Sequence, residues 1–92
     1  MSQGEKEALT GPQIRAARAL IGWTAEDLSR QSAVSLRTIR RAELAARTSM
    51  TSANDLAVRR ALEAAGIIFI EENGGGAGVR FRHRSSSKGR KS

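Results

Sequence analysis

Cysteine is absent from this chain, and histidine occurs only once, as His83, in 92 residues. Without thiolates the chain forms neither disulfides nor a cysteine-ligated metal site, which fits a reducing compartment. No run of about 18 apolar residues occurs, so the sequence predicts no membrane-spanning helix. The N-terminal MSQGEKEALT also lacks the apolar core of a signal peptide. These absences favour a cytoplasmic protein that holds no metal or cofactor.

Side chains suited to catalysis are similarly scarce. His83 has no cysteine and no evident acidic partner, so a catalytic triad is not available. The Glu71-Glu72 pair lies at a predicted turn, where solvation explains it better than acid–base chemistry. The glycine-rich segment 74–78 lacks the Gly-Lys-Ser/Thr ending of a P-loop, and a strand rather than a helix follows it. The sequence therefore predicts that the protein is not an enzyme.

The chain is poor in aromatic residues and rich in cations. It has only Trp23, Phe69 and Phe81 for base stacking, which argues against recognition of single-stranded RNA. Its net charge is nevertheless +7, which favours a polyanionic partner. Four of the cations and no acid lie in residues 83–92, and seven less four leaves +3 for residues 1–82. Composition alone does not distinguish a nucleic-acid surface from ordinary solvated charges.

Capping residues and apolar periodicity predict four helices, the first of which begins after Thr10. Thr10 and Gln13 have the spacing of a capping box, and Gly22 is a suitable stop. The apolar stripe of this helix is predicted to consist of Ile14, Ala17, Leu20 and Ile21.

The stretch from Thr24 to Glu43 predicts two short helices joined by a tight corner. Thr24 and Asp27 form a second capping-box pattern for a helix over residues 25–32, and Ser35 is the N-cap of the next helix. About three residues connect the two, which is the spacing of a helix-turn-helix corner. The second of these helices carries three cations: Arg37, Arg40 and Arg41.

Ser52 is the predicted N-cap of the last helix, which has Asp55 at its third position and ends at Gly66. After Gly66 the spacing of apolar residues changes from the period of a helix to the alternation of a strand. Residues 67–70 are β-branched or aromatic and residues 79–84 alternate strictly, so two strands joined by the glycine-rich segment predict a β-hairpin.

Residues 23–43 follow the pattern Trp-Thr-x-x-x-Leu-Ser-x-x-Ser-x-Val-Ser-x-x-Thr-Ile-x-x-x-Glu. This pattern resembles the DNA-binding domain of Cro/cI-type (Xre family) bacterial and phage regulators, over about residues 9–65. The resemblance implies a mainly α, four-helix helix-turn-helix domain, to which this chain adds a C-terminal β-hairpin. Two positions depart from the family pattern. Ala25 stands where a phosphate-anchoring Gln is usual, and Ala33 stands where Gly usually adopts a positive φ.

The resemblance also implies roles for individual residues. Those that would read bases, by forked hydrogen bonds to guanine or contact with a thymine methyl, are Leu36, Arg37 and Arg41. The resemblance places Ser35 and Arg40 on the flank near the DNA backbone. Helix N-termini and nearby donors anchor phosphates, which adds four candidates for backbone contact: Thr24, Arg47, Thr48 and Ser49. A structural ion pair is implied between Arg18 and Glu43.

The chain is thus predicted to have four parts: a flexible leader (1–9), the helix-turn-helix domain (10–66), the hairpin (67–84) and a disordered basic tail (85–92). An isolated hairpin is marginally stable in water, so we expect this one to form a homodimer interface. The residues predicted for that interface are Ile68, Ile70, Val79 and Phe81. The alternative, a hairpin packed only on its own helices, remains open.

These features together predict a non-enzymatic, sequence-specific regulator of transcription, more in keeping with a repressor than an activator. As a homodimer it would bind an inverted repeat in double-stranded DNA. The main alternative is an antitoxin or antiactivator, in which the hairpin or tail docks on a protein partner.

Overall fold

Helices dominate the fold. The computed structural model describes residues 8–45, 50–71 and 74–82. In chain order these residues form α1 (Gly11–Ile21), α2 (Ala25–Ser32), α3 (Leu36–Leu44), α4 (Ser52–Ala64), β1 (Ile67–Ile70) and β2 (Gly78–Phe81). The two strands make one antiparallel hairpin. The predicted mainly α fold with a C-terminal hairpin is therefore confirmed.

The first two helices begin with the predicted capping boxes. In α1 the Gln13 amide nitrogen donates to Thr10 Oγ1 over 3.2 Å, and the Thr10 nitrogen donates to Gln13 Oε1 over 3.0 Å. In α2 the Asp27 nitrogen donates to Thr24 Oγ1 over 3.0 Å, and the Thr24 nitrogen donates to Asp27 Oδ2 over 2.9 Å. Each box satisfies two backbone N–H groups that have no partner within the helix.

The corner between α2 and α3 has the predicted length. Ser35 caps α3 by accepting from the Thr38 nitrogen over 3.1 Å. Ala33 has φ +62° and is the one non-glycine residue with positive φ among those described. Two serines of α2 hold the corner, because the hydroxyls of Ser29 and Ser32 donate to the carbonyls of Val34 and Leu28.

The predicted start of α4 is wrong by one residue. The N-cap is Thr51 rather than Ser52, and its Oγ1 accepts from the Asn54 nitrogen over 3.1 Å. Asp55 is not part of the cap, because its Oδ1 accepts from the Leu9 nitrogen over 3.0 Å. The carboxylate that the local pattern assigned to the start of α4 is thus used in a hydrogen bond to a residue 46 positions away.

One apolar cluster joins the helices to the hairpin. Its fully packed members are Leu9, Ile14, Ala17, Leu28, Val34, Ile39, Ala42, Val58, Leu62 and Ile67. Trp23 is half-buried against this cluster. Leu20, which the periodicity assigned to the inner stripe of α1, is instead 40% exposed. Leu9, assigned to the flexible leader, is buried in the core.

Gln13 ties the hairpin to α1. Its Nε2 donates to the carbonyls of Ile70 (3.3 Å) and Gly78 (3.1 Å), which are directly paired across the two strands. The side chain is 6% exposed and also makes the α1 cap, so its donors and its acceptor are all used. Buried amides of this kind fix the relative position of the elements they join.

Several predictions fall outside the described residues. These are the conformation of residues 1–7, the backbone contacts at Arg47, Thr48 and Ser49, the end of the second strand at 83–84, and the basic tail at 85–92.

Candidate nucleic-acid interface

One face of α3 is cationic and exposed. The side chains of Arg37, Arg40 and Arg41 are exposed, and Leu36 is half-buried beside them at the start of the helix. Arg37 lies three residues before Arg40 and four before Arg41, and Leu36 lies four before Arg40, so these side chains lie on one side of the helix. The structure therefore brings the three predicted base-reading residues together.

The opposite face of α3 is packed. Ile39 and Ala42 are in the core, and Glu43 is buried beside them at 7% exposure. The Arg18 guanidinium in α1 makes two hydrogen bonds to the Glu43 carboxylate, Nε to Oε2 at 2.7 Å and Nη2 to Oε1 at 2.9 Å. The hydrogen bond to Glu43 raises the pKa of Arg18, against the opposing effect of burial. The ion pair that the resemblance implied is thus present.

The C-terminal end of α3 is held by the start of α1. The Gly11 nitrogen donates to the Ala45 carbonyl over 3.2 Å, and Arg15 Nη1 donates to the Glu43 carbonyl. A Cβ on Gly11 would lie 2.4 Å from the Ala45 oxygen, so only glycine permits this approach. Sequence reasoning missed both residues. No pattern in the sequence pointed to Gly11, and Arg15 lies outside the predicted apolar stripe of α1.

The hydroxyls of Thr24 and Ser35, both predicted to contact DNA phosphates, are engaged in helix caps. Thr24 Oγ1 accepts from Asp27, and Ser35 Oγ also donates to Thr38 Oγ1 over 2.9 Å. The first turn of α2 holds two acids, Glu26 and Asp27. The backbone hydrogen bond from Thr24 lowers the pKa of Asp27, so that carboxylate stays ionised.

Arg40, also predicted to contact the DNA backbone, forms an ion pair. Its Nη2 lies 3.0 Å from Glu26 Oε2, and both side chains remain exposed to solvent. By contrast, no hydrogen bond or ion pair joins the guanidinium group of Arg37 or Arg41 to another of the residues in 8–45, 50–71 and 74–82. Their donors are therefore available to an external acceptor.

The four residues predicted for a dimer interface do not share one face of the hairpin. Val79 pairs with Phe69 and Phe81 pairs with Ile67, so both lie on the inner face and pack against the core. Ile68 and Ile70 alternate to the outer face and are half-buried. The strand alternation therefore splits the predicted set into two pairs on opposite faces of the hairpin.

Other kinds of site find little support in the part of the chain that is described. No group of three or more His, Asp or Glu side chains there is placed to hold a metal ion. No helix among these residues is both long and apolar enough to cross a membrane. A cleft of about 440 Å³ lies along α4, where Arg59 and Glu63 form an ion pair at 3.9 Å.

Comparison of the chain with models of known protein families and with curated proteins gives no match.

Proposed function

We propose that this protein is a sequence-specific regulator of transcription that binds double-stranded DNA through the exposed face of α3 and has no enzymatic activity. The observation that carries the proposal is the cationic face of α3, on which Arg37 and Arg41 have donors available. A helix fits the major groove, and side chains near its N-terminus reach base edges. Arginine is suited to this role because its planar fork matches guanine O6 and N7.

The way α3 is supported also favours this role. A recognition helix has to present its side chains in a defined orientation, because sequence discrimination depends on hydrogen-bond geometry. The Arg18–Glu43 pair braces the helix, and the Gly11 nitrogen holds its C-terminal end. Ser35 caps the opposite end.

We further propose that the protein acts as a homodimer on an inverted repeat, with half-sites about 10 base pairs apart. The outer face of the hairpin, with Ile68 and Ile70, is the surface that fits a second copy. Val79 and Phe81 serve the core of their own chain instead. We propose occlusion of a promoter, hence repression, as the mode of regulation.

The proposal is tested by selecting bound sequences from random duplex DNA at stated salt, and then measuring affinity for the selected duplex. Arg37→Ala and Arg41→Ala should each weaken specific binding by about 1–3 kcal/mol and leave the melting temperature unchanged. Arg60→Ala is a matched control, because Arg60 is an exposed cation on α4. Arg60→Ala should weaken specific binding far less than either α3 variant. If both α3 variants kept full affinity for the selected duplex, α3 would not be the recognition helix.

The oligomeric state is tested separately by light scattering during size-exclusion chromatography. A mass of two chains is expected, and Ile68→Asp should shift it to one. A monodisperse monomer at high concentration would contradict the homodimer. Co-purification of a different chain would support the antitoxin or antiactivator alternative, in which the same outer face binds a protein partner.

A further inference from the structure

A salt bridge joins the first turn of α2 to the exposed face of α3. Glu26 Oε2 lies 3.0 Å from Arg40 Nη2, and the two side chains are 53% and 59% exposed. Arg40 lies on the same side of α3 as Arg37 and Arg41. A carboxylate is therefore a direct neighbour of the surface to which the proposed function assigns a polyanion.

Glu26 takes no part in the local capping of α2. The capping box there uses Thr24 and Asp27, and the Asp27 carboxylate also pairs with Arg30. Among the described residues, the hydrogen-bond partner of Glu26 is Arg40, 14 positions away. The Glu26 carboxylate therefore reduces the positive charge on the exposed face of α3. The capping box of α2 does not require this pairing.

We propose that Glu26 limits the electrostatic part of DNA affinity by competing with phosphates for Arg40, an inference that rests on the proposed function. While Arg40 is paired with Glu26 it neutralises no phosphate, and the carboxylate itself repels the DNA backbone. The pair is exposed and its energy is small, but as long as it persists in the complex Arg40 adds no phosphate contact. Phosphate contacts carry no sequence information. Glu26 therefore lowers the affinity for all duplexes and leaves base discrimination to Arg37 and Arg41.

The test compares Glu26→Gln with Glu71→Gln, which makes the same change in charge at an exposed residue next to the hairpin. Affinities are measured by fluorescence anisotropy on a selected duplex and on a scrambled one, over a range of salt concentrations. Glu26→Gln should bind both duplexes about three- to tenfold more tightly at low salt. The slope of log affinity against log salt should steepen by about 0.9 per bound protomer, the value for one added phosphate contact. Glu71→Gln should change affinity by less than about twofold.

Arg40→Gln, alone and combined with Glu26→Gln, shows whether the gain passes through Arg40. Relative to Arg40→Gln, the double variant should gain little affinity, because no guanidinium is left at position 40 for Glu26 to occupy. Melting temperatures of all variants confirm folding.

Equal affinities and slopes for Glu26→Gln and Glu71→Gln would overturn the inference, as would a gain that persists in full without Arg40. Failure of the selection to yield a preferred sequence would overturn the proposed function instead. The role of Glu26 would then still be decided on random-sequence duplex, since it concerns phosphates alone. If neither the wild type nor any variant bound duplex DNA, both proposals would fall.

Discussion

The Arg18 guanidinium donates hydrogen bonds of 2.7 and 2.9 Å to the two carboxylate oxygens of Glu43, and so joins α1 to the buried side of α3. The Glu43 side chain is 9% exposed and the Arg18 side chain is 21% exposed, so water solvates neither charge fully. A planar guanidinium and a carboxylate joined by two hydrogen bonds have little freedom to rotate. The recognition helix of the proposed function thus has its orientation set by a pair on its hidden face.

Replacement of Glu43 by alanine should lower the free energy of unfolding by about 2–4 kcal/mol, because it leaves the Arg18 guanidinium partly buried and unpaired. Chemical denaturation measures the change. The double variant Arg18→Ala/Glu43→Ala should cost less than the sum of the two single variants, since removal of both partners leaves no charge unpaired. Strict additivity would show that the two side chains are not energetically coupled.

Ala33→Gly should raise the free energy of unfolding by about 0.5–1 kcal/mol. Ala33 has φ +62°, where its Cβ is strained, and this relief outweighs the greater freedom of glycine in the unfolded chain. Ala16→Gly is the matched control, because Ala16 is exposed within α1 in ordinary helical conformation. It should lower stability by about the same amount. A loss of stability in Ala33→Gly would mean that the corner is not strained.

Gln13→Glu should loosen the hairpin while leaving the α1 cap in place. The carboxylate still accepts from the Thr10 nitrogen, but it presents acceptors to the carbonyls of Ile70 and Gly78, which lose their donor. Hydrogen exchange should speed up across β1 and β2 rather than in α1. Thr10→Ala is the contrasting variant, because it removes the cap and keeps both hairpin bonds, so exchange should speed up in the first turn of α1. The same exchange pattern in both variants would contradict the separate roles assigned to Gln13.

Acidification should weaken the fold through Asp27. Its pKa is lowered in the folded chain, chiefly by the backbone hydrogen bond from Thr24. A carboxylate of this kind contributes stability above its unfolded pKa, about 3.9, and that contribution is lost as the pH falls through the folded value. Thermal melts of wild type and Asp27→Asn should therefore differ most near neutral pH and converge at low pH. A constant difference across that range would exclude Asp27 as the titrating group.

Much of the fold could be predicted from residues close together in the chain. The caps at Thr10, Thr24 and Ser35 join residues three positions apart, so they depend on little beyond local backbone geometry. The change from helical to alternating period likewise located the hairpin. The cationic positions of the candidate interface followed from the helical spacing of the arginines in α3.

The errors arose where a distant part of the chain competed for a group. Asp55 matched a local cap but bonds the Leu9 nitrogen instead, which also draws Leu9 out of the predicted leader and into the core. Val79 and Phe81 matched an exposed interface, yet their register against β1 turns them towards the core. Periodicity shows that a strand has two faces, but not which face the helices cover.

The sequence by itself determined where the first three helices begin, how α2 and α3 are connected and which side of α3 bears the arginines, because these depend on spacings of three or four residues. Only the tertiary structure decided that Gly11 meets the end of α3, that Gln13 holds the hairpin and that Glu26 occupies Arg40. Those contacts join residues 14 to 65 positions apart, and no local preference encodes how separate elements dock.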